Sequence, residues 1–386
     1  MARASLCSWW PRNLFLRLAV PMLCVVALPA YAQDTDCGAP AVTNDGWQVA
    51  APEQQGLDPK ILCGIGPRFA SWADADAHAV VVVRHGQLVY EHYFAGPDEK
   101  LGSPRGNVTY DVEKKHDLRS ITKSVTSLLV GIALDKGWIR SLDASVLSFL
   151  PEYNDLHSPD KDKITLRHLL TMSSGLAWDE SLPYSNPANS ERQMDAAGDP
   201  YRYILEQPVA APAGSVYNYC GCSAALLEAV VQRAAGRQLD SIAKEMLFDP
   251  LGISDVEWAR FANGDVLAHV GLRLRPRDLA KIGQLVLRRG AWSGRQIVSA
   301  KWIDDSTTPQ INGEGLYFYG YQWWLGRSLL ARKEVDWIAG VGYGGQRLYI
   351  VPKQDLVIAV NSGAYGRPQL VGSIVLNQYV LPAITR

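Results

Sequence analysis

Long apolar runs are almost absent from this 386-residue chain. One, Leu18 to Pro29, lies near the N-terminus, and no later stretch approaches the roughly 18 residues that cross a bilayer. Arg3, Arg12 and Arg17 precede that run and Ala30-Tyr31-Ala32 follows it, the arrangement of a secretory leader with a small-x-small cleavage site. Residues 1–32 are therefore set aside as a leader, and because no cysteine follows in lipoprotein fashion, a secreted or periplasmic location without a membrane span is expected. Basic runs are missing too. Loss of three of the 38 Lys and Arg leaves 35 against 39 Asp and Glu, a weakly acidic balance that excludes nucleic acid as a partner. Cysteine is sparse, with only Cys37, Cys63, Cys220 and Cys222 beyond the leader. In an oxidising compartment Cys37 and Cys63 either bridge or stay free. Cys220 and Cys222 have no His or Cys cluster at metal spacing beside them, which excludes a structural zinc site and leaves packing or a local disulfide. No metal or cofactor is implied. Internal repeats and low-complexity tracts are absent, which excludes solenoids.

What is present alternates strand-like ends with a helical middle. Ala79–Val83 is a β-branched run, Arg84-His85-Gly86-Gln87 a turn, and Leu88–Phe94 a second strand. Toward the C-terminus, Tyr319–Leu325 is aromatic-rich, Arg347–Val351 and Leu356–Val360 form a hairpin, and Val371–Val380 has helical character. Between these ends, Ser120–Lys136, Leu166–Met172, Ser223–Ala235, Leu239–Phe248 and Pro276–Arg288 carry apolar residues at helical spacing. Leu176–Pro200, rich in Ser, Pro, Asn and Asp, is expected to be an ordered surface loop. The pattern implies an α+β fold whose sheet is assembled from both termini. One domain is expected over 33–386, with a sheet lobe of about 33–115 and 268–386 around a helical lobe of about 116–267.

The helix predicted from Ser120 contains the chemistry. Ser120 and Lys123 project from one face, within reach of each other. The sequence has two other such pairs, Ser158/Lys161 in a charged, proline-broken turn and Ser241/Lys244 between Asp240 and Glu245, and both read as solvated surface. After Lys123 the helix is apolar on most of its circumference, through Val125, Leu128, Leu129, Ile132, Ala133 and Leu134, so it should be buried. Burial and the positive helix end both disfavour an ammonium, and the amine is expected to shift toward neutrality and serve as base for Ser120. The competing reading is a capping serine beside a lysine that snorkels to solvent.

With its flanks, "RSITKSVTSLLVGIALDKG" resembles the active-site helix of serine hydrolases related to class C β-lactamases, a family of penicillin-recognising peptidases, esterases and 6-aminohexanoate-dimer hydrolases. "VVVVRHGQLVYEHYFAG", "KITLRHLLTMSSGLAW", "LFDPLGI", "LRPRDLAKIGQLVLRRGAW" and "YGYQWW" resemble further family segments in the same order. The resemblance implies a β-lactamase/transpeptidase-like fold, an antiparallel sheet flanked by terminal helices plus an all-helical lobe. In "PAGSVYNYCGCSAALL", Gly214 five residues earlier selects Tyr219 over Tyr217 as the family's tyrosine, a proton relay whose phenolate a nearby ammonium would favour.

Two departures bear on substrate. Gly221 stands where the lactamases have a polar side chain that holds the substrate's amide, and "AGVGYGGQRLYIVP" lacks the Lys or His that attracts a substrate carboxylate. The G-x-G-x-x-G from Gly340 to Gly345 is not a nucleotide site, since a strand-like run follows it. It reads instead as a strand edge open to substrate, where an N–H of Gly342 or Tyr343 would join that of Ser120 in an oxyanion hole. His168, within an apolar helix and remote from any G-x-S-x-G elbow, is structural. The expected activity is hydrolysis of small esters or amides through an acyl-enzyme on Ser120, with Lys123 as base and Tyr219 as relay. The alternatives are a β-lactamase or D-alanyl-D-alanine carboxypeptidase, and, outside enzymes, a binding or sensor module that kept the fold.

Overall fold

A run of four consecutive valines, Val80 to Val83, explains the centre of the molecule, because such residues suit a strand buried on both faces. The structure, a computed structural model, describes residues 37–385, and the expected leader lies outside them. Strands β1 (Ala77–Arg84), β2 (Gln87–Tyr93), β3 (Ile311–Asn312), β4 (Phe318–Tyr319), β5 (Trp324–Leu330), β6 (Lys333–Gly342), β7 (Gln346–Val351) and β8 (Leu356–Ser362) form one antiparallel sheet. Its order is β3-β4-β5-β6-β7-β8-β1-β2. The two ends of the chain meet where β1 pairs with β8, from Ala77 opposite Ser362 to Arg84 opposite Leu356.

Successive strand residues point to opposite faces, so the sheet feeds two apolar layers. Val81, Val83, Leu348, Ile350, Val357 and Ala359 face a core shared with helices α1 (Ile121–Asp135), α3 (Gly221–Ala235) and α4 (Pro276–Leu287). Val80, Val82, Ile358 and Val360 face Leu62, Ile65 and Phe69 near one end of the chain and Val371, Val375, Leu376 and Val380 near the other. Flanking the sheet with terminal helices leaves α1 between sheet and helices, buried along nearly its whole length.

Several expectations need correction. The aromatic-rich Tyr319–Leu325 takes in the end of β4, a turn at left-handed Gln322 (φ +66°) and the start of β5. The middle of the chain is not all helical, since His116–Asp117 and Glu257–Trp258 pair on either side of Leu272–Leu274. Nor is 176–200 only surface loop. It contains helix α2 (Ser190–Ala196) and buries Asn189, Glu191 and Met194, because Met194 enters the core and draws the segment inward. Both disulfides are formed, Cys37–Cys63 and Cys220–Cys222.

Candidate active site

Helix α1 begins abruptly. Arg119 has a left-handed backbone (φ +50°), unusual for a non-glycine residue, and is pinned by its guanidinium to Glu99 and, at 3.4 Å, to Asp117. This turns the chain from the His116–Asp117 strand straight into the helix and leaves Ser120 at its N-terminus. Ser120 makes no side-chain capping bond, so its hydroxyl is free of that duty. Lys123 is 1% exposed, which rules out snorkelling. Its Nζ donates to Ser120 Oγ at 3.0 Å and to the His269 carbonyl at 3.1 Å, and stands 5.0 Å from the centre of the Tyr219 ring. The structure thus brings together all three residues that sequence singled out. Tyr219 stacks on Trp324, with ring centres 5.7 Å apart.

The expected electrostatics do not hold. Burial works to lower the affinity of Lys123 for its proton, but Tyr219, Glu191 and Glu180 outweigh it and hold the amine above its usual range. The sequence reading missed the two carboxylates. Tyr219 also departs from expectation: burial raises the phenol, and Lys123 and Ser120 offset only part of that rise.

Glu180 and Glu191 arrive on the segment 176–200. Glu180 Oε1 accepts from Trp178 Nε1 at 2.6 Å and from the Gly221 backbone N–H, while Glu191 Oε1 accepts from the Tyr184 hydroxyl at 3.0 Å. Burial, then the charge of Glu191, pushes Glu180 up to about 8. Burial also acts to raise Glu191, but Lys123, His269 and Tyr184 together hold it below the usual carboxylate range. Gly221 is glycine because a Cβ there would lie 2.5 Å from Glu191 Oε2 and 3.2 Å from Glu180 Oε1. The place of the missing polar side chain is filled by acid. Leu176, Trp178, Tyr184 and Met194, large side chains in a polar stretch, were the hint that this segment turns inward.

Ser120, Tyr219, Glu180, Tyr184, Trp324 and Tyr343 line a cavity of about 650 Å³. Gly342 lies on its wall, with no room for a side chain, since a Cβ would meet the Leu118 carbonyl at 2.4 Å. Lys, Arg and His are absent from the lining, whereas Glu180 and Glu314 belong to it. Arg347 faces an adjoining cavity and donates to the carbonyls of Gly342 and Gln346, at 3.2 and 2.8 Å. His168 caps its own helix, its Nδ1 accepting from the Thr165 N–H at 3.2 Å. Ser241 and Lys244 are exposed, and Lys161 is spent on the Leu205 carbonyl.

Among the described residues, two groups are close enough to hold a metal ion: Glu191, Asp195 and His269, and His78, Asp98 and His116. In the second, His78 Nε2 faces Asp76 Oδ1 at 3.2 Å and His116 Nδ1 faces the Asp117 carbonyl at 3.0 Å. His78 Nδ1 and His116 Nε2 lie 2.9 Å apart, so each ring has a protein partner at both nitrogens.

A sheet built from both termini, with a helix-borne Ser-x-x-Lys facing a tyrosine across a cleft, defines a hydrolase of the β-lactamase fold. The chain belongs to the Beta-lactamase family, whose model matches residues 70–371. It is 25% identical over 304 residues to the 6-aminohexanoate-dimer hydrolase of Paenarthrobacter ureafaciens, covering 72% of this chain and 71% of that one. It is 29% identical over 184 residues to the esterase EstB of Burkholderia gladioli, covering 45% of each. The fold is shared with a beta-lactamase/D-alanine carboxypeptidase from Pseudomonas syringae, at 14% identity and TM-score 0.61 over 82% of this chain and 96% of that one. The protein is an enzyme, a hydrolase acting on ester or amide bonds.

Proposed function

We propose that this hydrolase is exported and cleaves small, neutral or cationic esters and amides through an acyl-enzyme on Ser120. The observation that carries the reading is the 3.0 Å bond from a fully buried Lys123 to Ser120 Oγ at the wall of the cavity. Ser120 Oγ attacks the carbonyl carbon and its proton passes to Lys123 in the amine form. Tyr219 protonates the leaving group and regains its proton from Lys123, and water then releases the acyl group by the reverse route. The N–H of Ser120, with one from Gly342 or Tyr343, would hold the oxyanion. Two disulfides support an oxidising compartment, and no helix among the described residues is long and apolar enough to cross a membrane.

The lining supports esters over penicillins, because it offers a substrate carboxylate no Lys, Arg or His side chain and places Glu314 on the wall. A lost charge-assisted contact is worth roughly 1.5–3 kcal/mol. Two such losses lower kcat/KM by about two to four orders of magnitude, at tenfold per 1.36 kcal/mol. Steady-state kinetics should therefore give a higher kcat/KM for p-nitrophenyl butyrate than for benzylpenicillin. Equal efficiency on both would replace this reading with a β-lactamase.

A further inference from the structure

We propose that Glu191, Asp195 and His269 form a binding site for one divalent transition ion, zinc being the best fit, which ties the segment 176–200 to the loop before Leu272–Leu274. The site lies beside the catalytic cavity and not in it, since none of the three residues lines the cavity of Ser120.

Two elements place the ligands. Glu191 and Asp195 stand four residues apart on α2, so they project from one face of the helix. Across from them His269 is fully buried, its ring stacked on Phe261 with centres 5.7 Å apart and its backbone carbonyl fixed by Lys123 Nζ at 3.1 Å. One ligand atom from each residue lies within 4.8 Å of the other two. A tetrahedral ion with ligands at about 2.0–2.2 Å holds them about 3.4 Å apart, so small side-chain rotations close the set. Gly221 leaves the room: a Cβ there would lie 2.5 Å from Glu191 Oε2 and 3.0 Å from His269 Cδ2.

Unmet polar atoms point to the ion. Neither ring nitrogen of His269 makes a hydrogen bond within the protein, although Nε2 lies 3.0 Å from Asp195 Oδ1, and Glu191 Oε2 is buried without a partner as well. Buried polar atoms nearly always find a partner, and an ion would take one lone pair from each of the three side chains. The other histidine cluster lacks this signature, because His78 and His116 have protein partners at both nitrogens, which an ion would have to displace. Asp195, its side chain 36% exposed, lies with Glu191 on the wall of a second cavity, which gives an ion its entrance and water its place in the remaining coordination. The ligand set selects the ion: calcium and magnesium take oxygen, whereas an imidazole beside carboxylates suits a transition ion, and three protein ligands with one open position suit zinc. Bound there, the ion would fix α2 against His269, and through the His269 carbonyl it would support the placement of Lys123.

The test strips the untagged protein with EDTA, desalts it and titrates it with Zn²⁺ by calorimetry, with elemental analysis for stoichiometry and thermal unfolding as a second readout. One zinc per chain should bind, at least about 100-fold more tightly than Ca²⁺ or Mg²⁺, and should raise Tm. Asp195→Asn and His269→Gln should each weaken zinc binding by at least about 100-fold, because loss of a mere supporting hydrogen bond to a ligand already costs about 10–100-fold. Co²⁺ in place of zinc should give visible absorption bands that disappear in Asp195→Asn. Should His269→Gln fail to fold, Asp195→Asn decides, since its side chain is partly exposed and the cobalt bands report on the ion directly. Failure of the wild type to hold zinc at micromolar concentration, binding unchanged in Asp195→Asn, or calcium bound as tightly as zinc would each overturn the proposal.

Discussion

Helix α1 and the segment 176–200 bring ionisable groups to the surroundings of Ser120 by opposite means. In α1, Val125, Leu128, Leu129 and Ile132 are buried with 2% exposure or less, and Lys123 is carried inward by its apolar neighbours. The segment is held mainly by polar bonds. Asn189 Nδ2 donates to the Leu182 carbonyl at 2.7 Å, the Arg192 guanidinium donates to the Ser185 carbonyl at 2.7 Å, and the Asp179 N–H donates to Ser190 Oγ at 3.0 Å. Apolar burial is non-directional and tolerates a passenger charge, whereas a polar closure fixes its side chains one bond at a time. One element carries the Ser120–Lys123 pair and the other the carboxyl groups around it.

The largest effects belong to α1. Ser120→Ala should lower kcat for p-nitrophenyl butyrate by roughly 10⁴–10⁶ and abolish fluorophosphonate labelling. Lys123→Arg should cost nearly as much as Lys123→Ala, because a guanidinium balances the two glutamates but does not deprotonate near neutral pH. Retention of most activity in Lys123→Arg would make the lysine a support for charge, and the comparison between the two elements would lose its chemical side.

Stability separates the elements next. Leu129→Ala removes a fully buried side chain from the centre of α1 and should cost about 2–5 kcal/mol in denaturant unfolding, with the remaining folded enzyme active. Gly221→Asn restores the family's polar side chain but drives it into Glu191 Oε2 and Glu180 Oε1. Overpacking of that kind costs about 1–3 kcal/mol. Its thermal unfolding should fall accordingly, and a neutral effect would mean that the carboxyl pair can move aside.

The same contrast explains what was legible in the sequence. Strands β1, β2, β7 and β8 and helices α1, α3 and α4 were read within a few residues of their ends, because both-face and one-face burial leave apolar periods in the chain, whereas β3 and β6 were not read at all. Ser120 and Lys123 followed from their place on α1, and Tyr219 from the resemblance of its flanking segment to the family's. Glu180 and Glu191, eleven residues apart in a polar stretch, leave no period, and no local rule says that an irregular segment folds its acids inward. Missing them contributed to the wrong sign expected for Lys123, since burial alone lowers a lysine and Tyr219, Glu191 and Glu180 together raise it.

The smallest effect should come from Asn189→Ala, and it probes how the segment is closed. Asn189 is fully buried, its Oδ1 accepts the Arg192 N–H at 3.1 Å as the cap of α2, and its Nδ2 donates to the Leu182 carbonyl. Replacing a capping asparagine by alanine costs about 0.5–2 kcal/mol. The loss should be local: hydrogen exchange ought to rise across 176–200, which carries Glu180, Tyr184 and Glu191, and stay unchanged in α1, whose apolar packing does not involve Asn189. If exchange rises equally in α1, the two elements unfold as one cooperative unit and the distinction between apolar and polar anchoring fails.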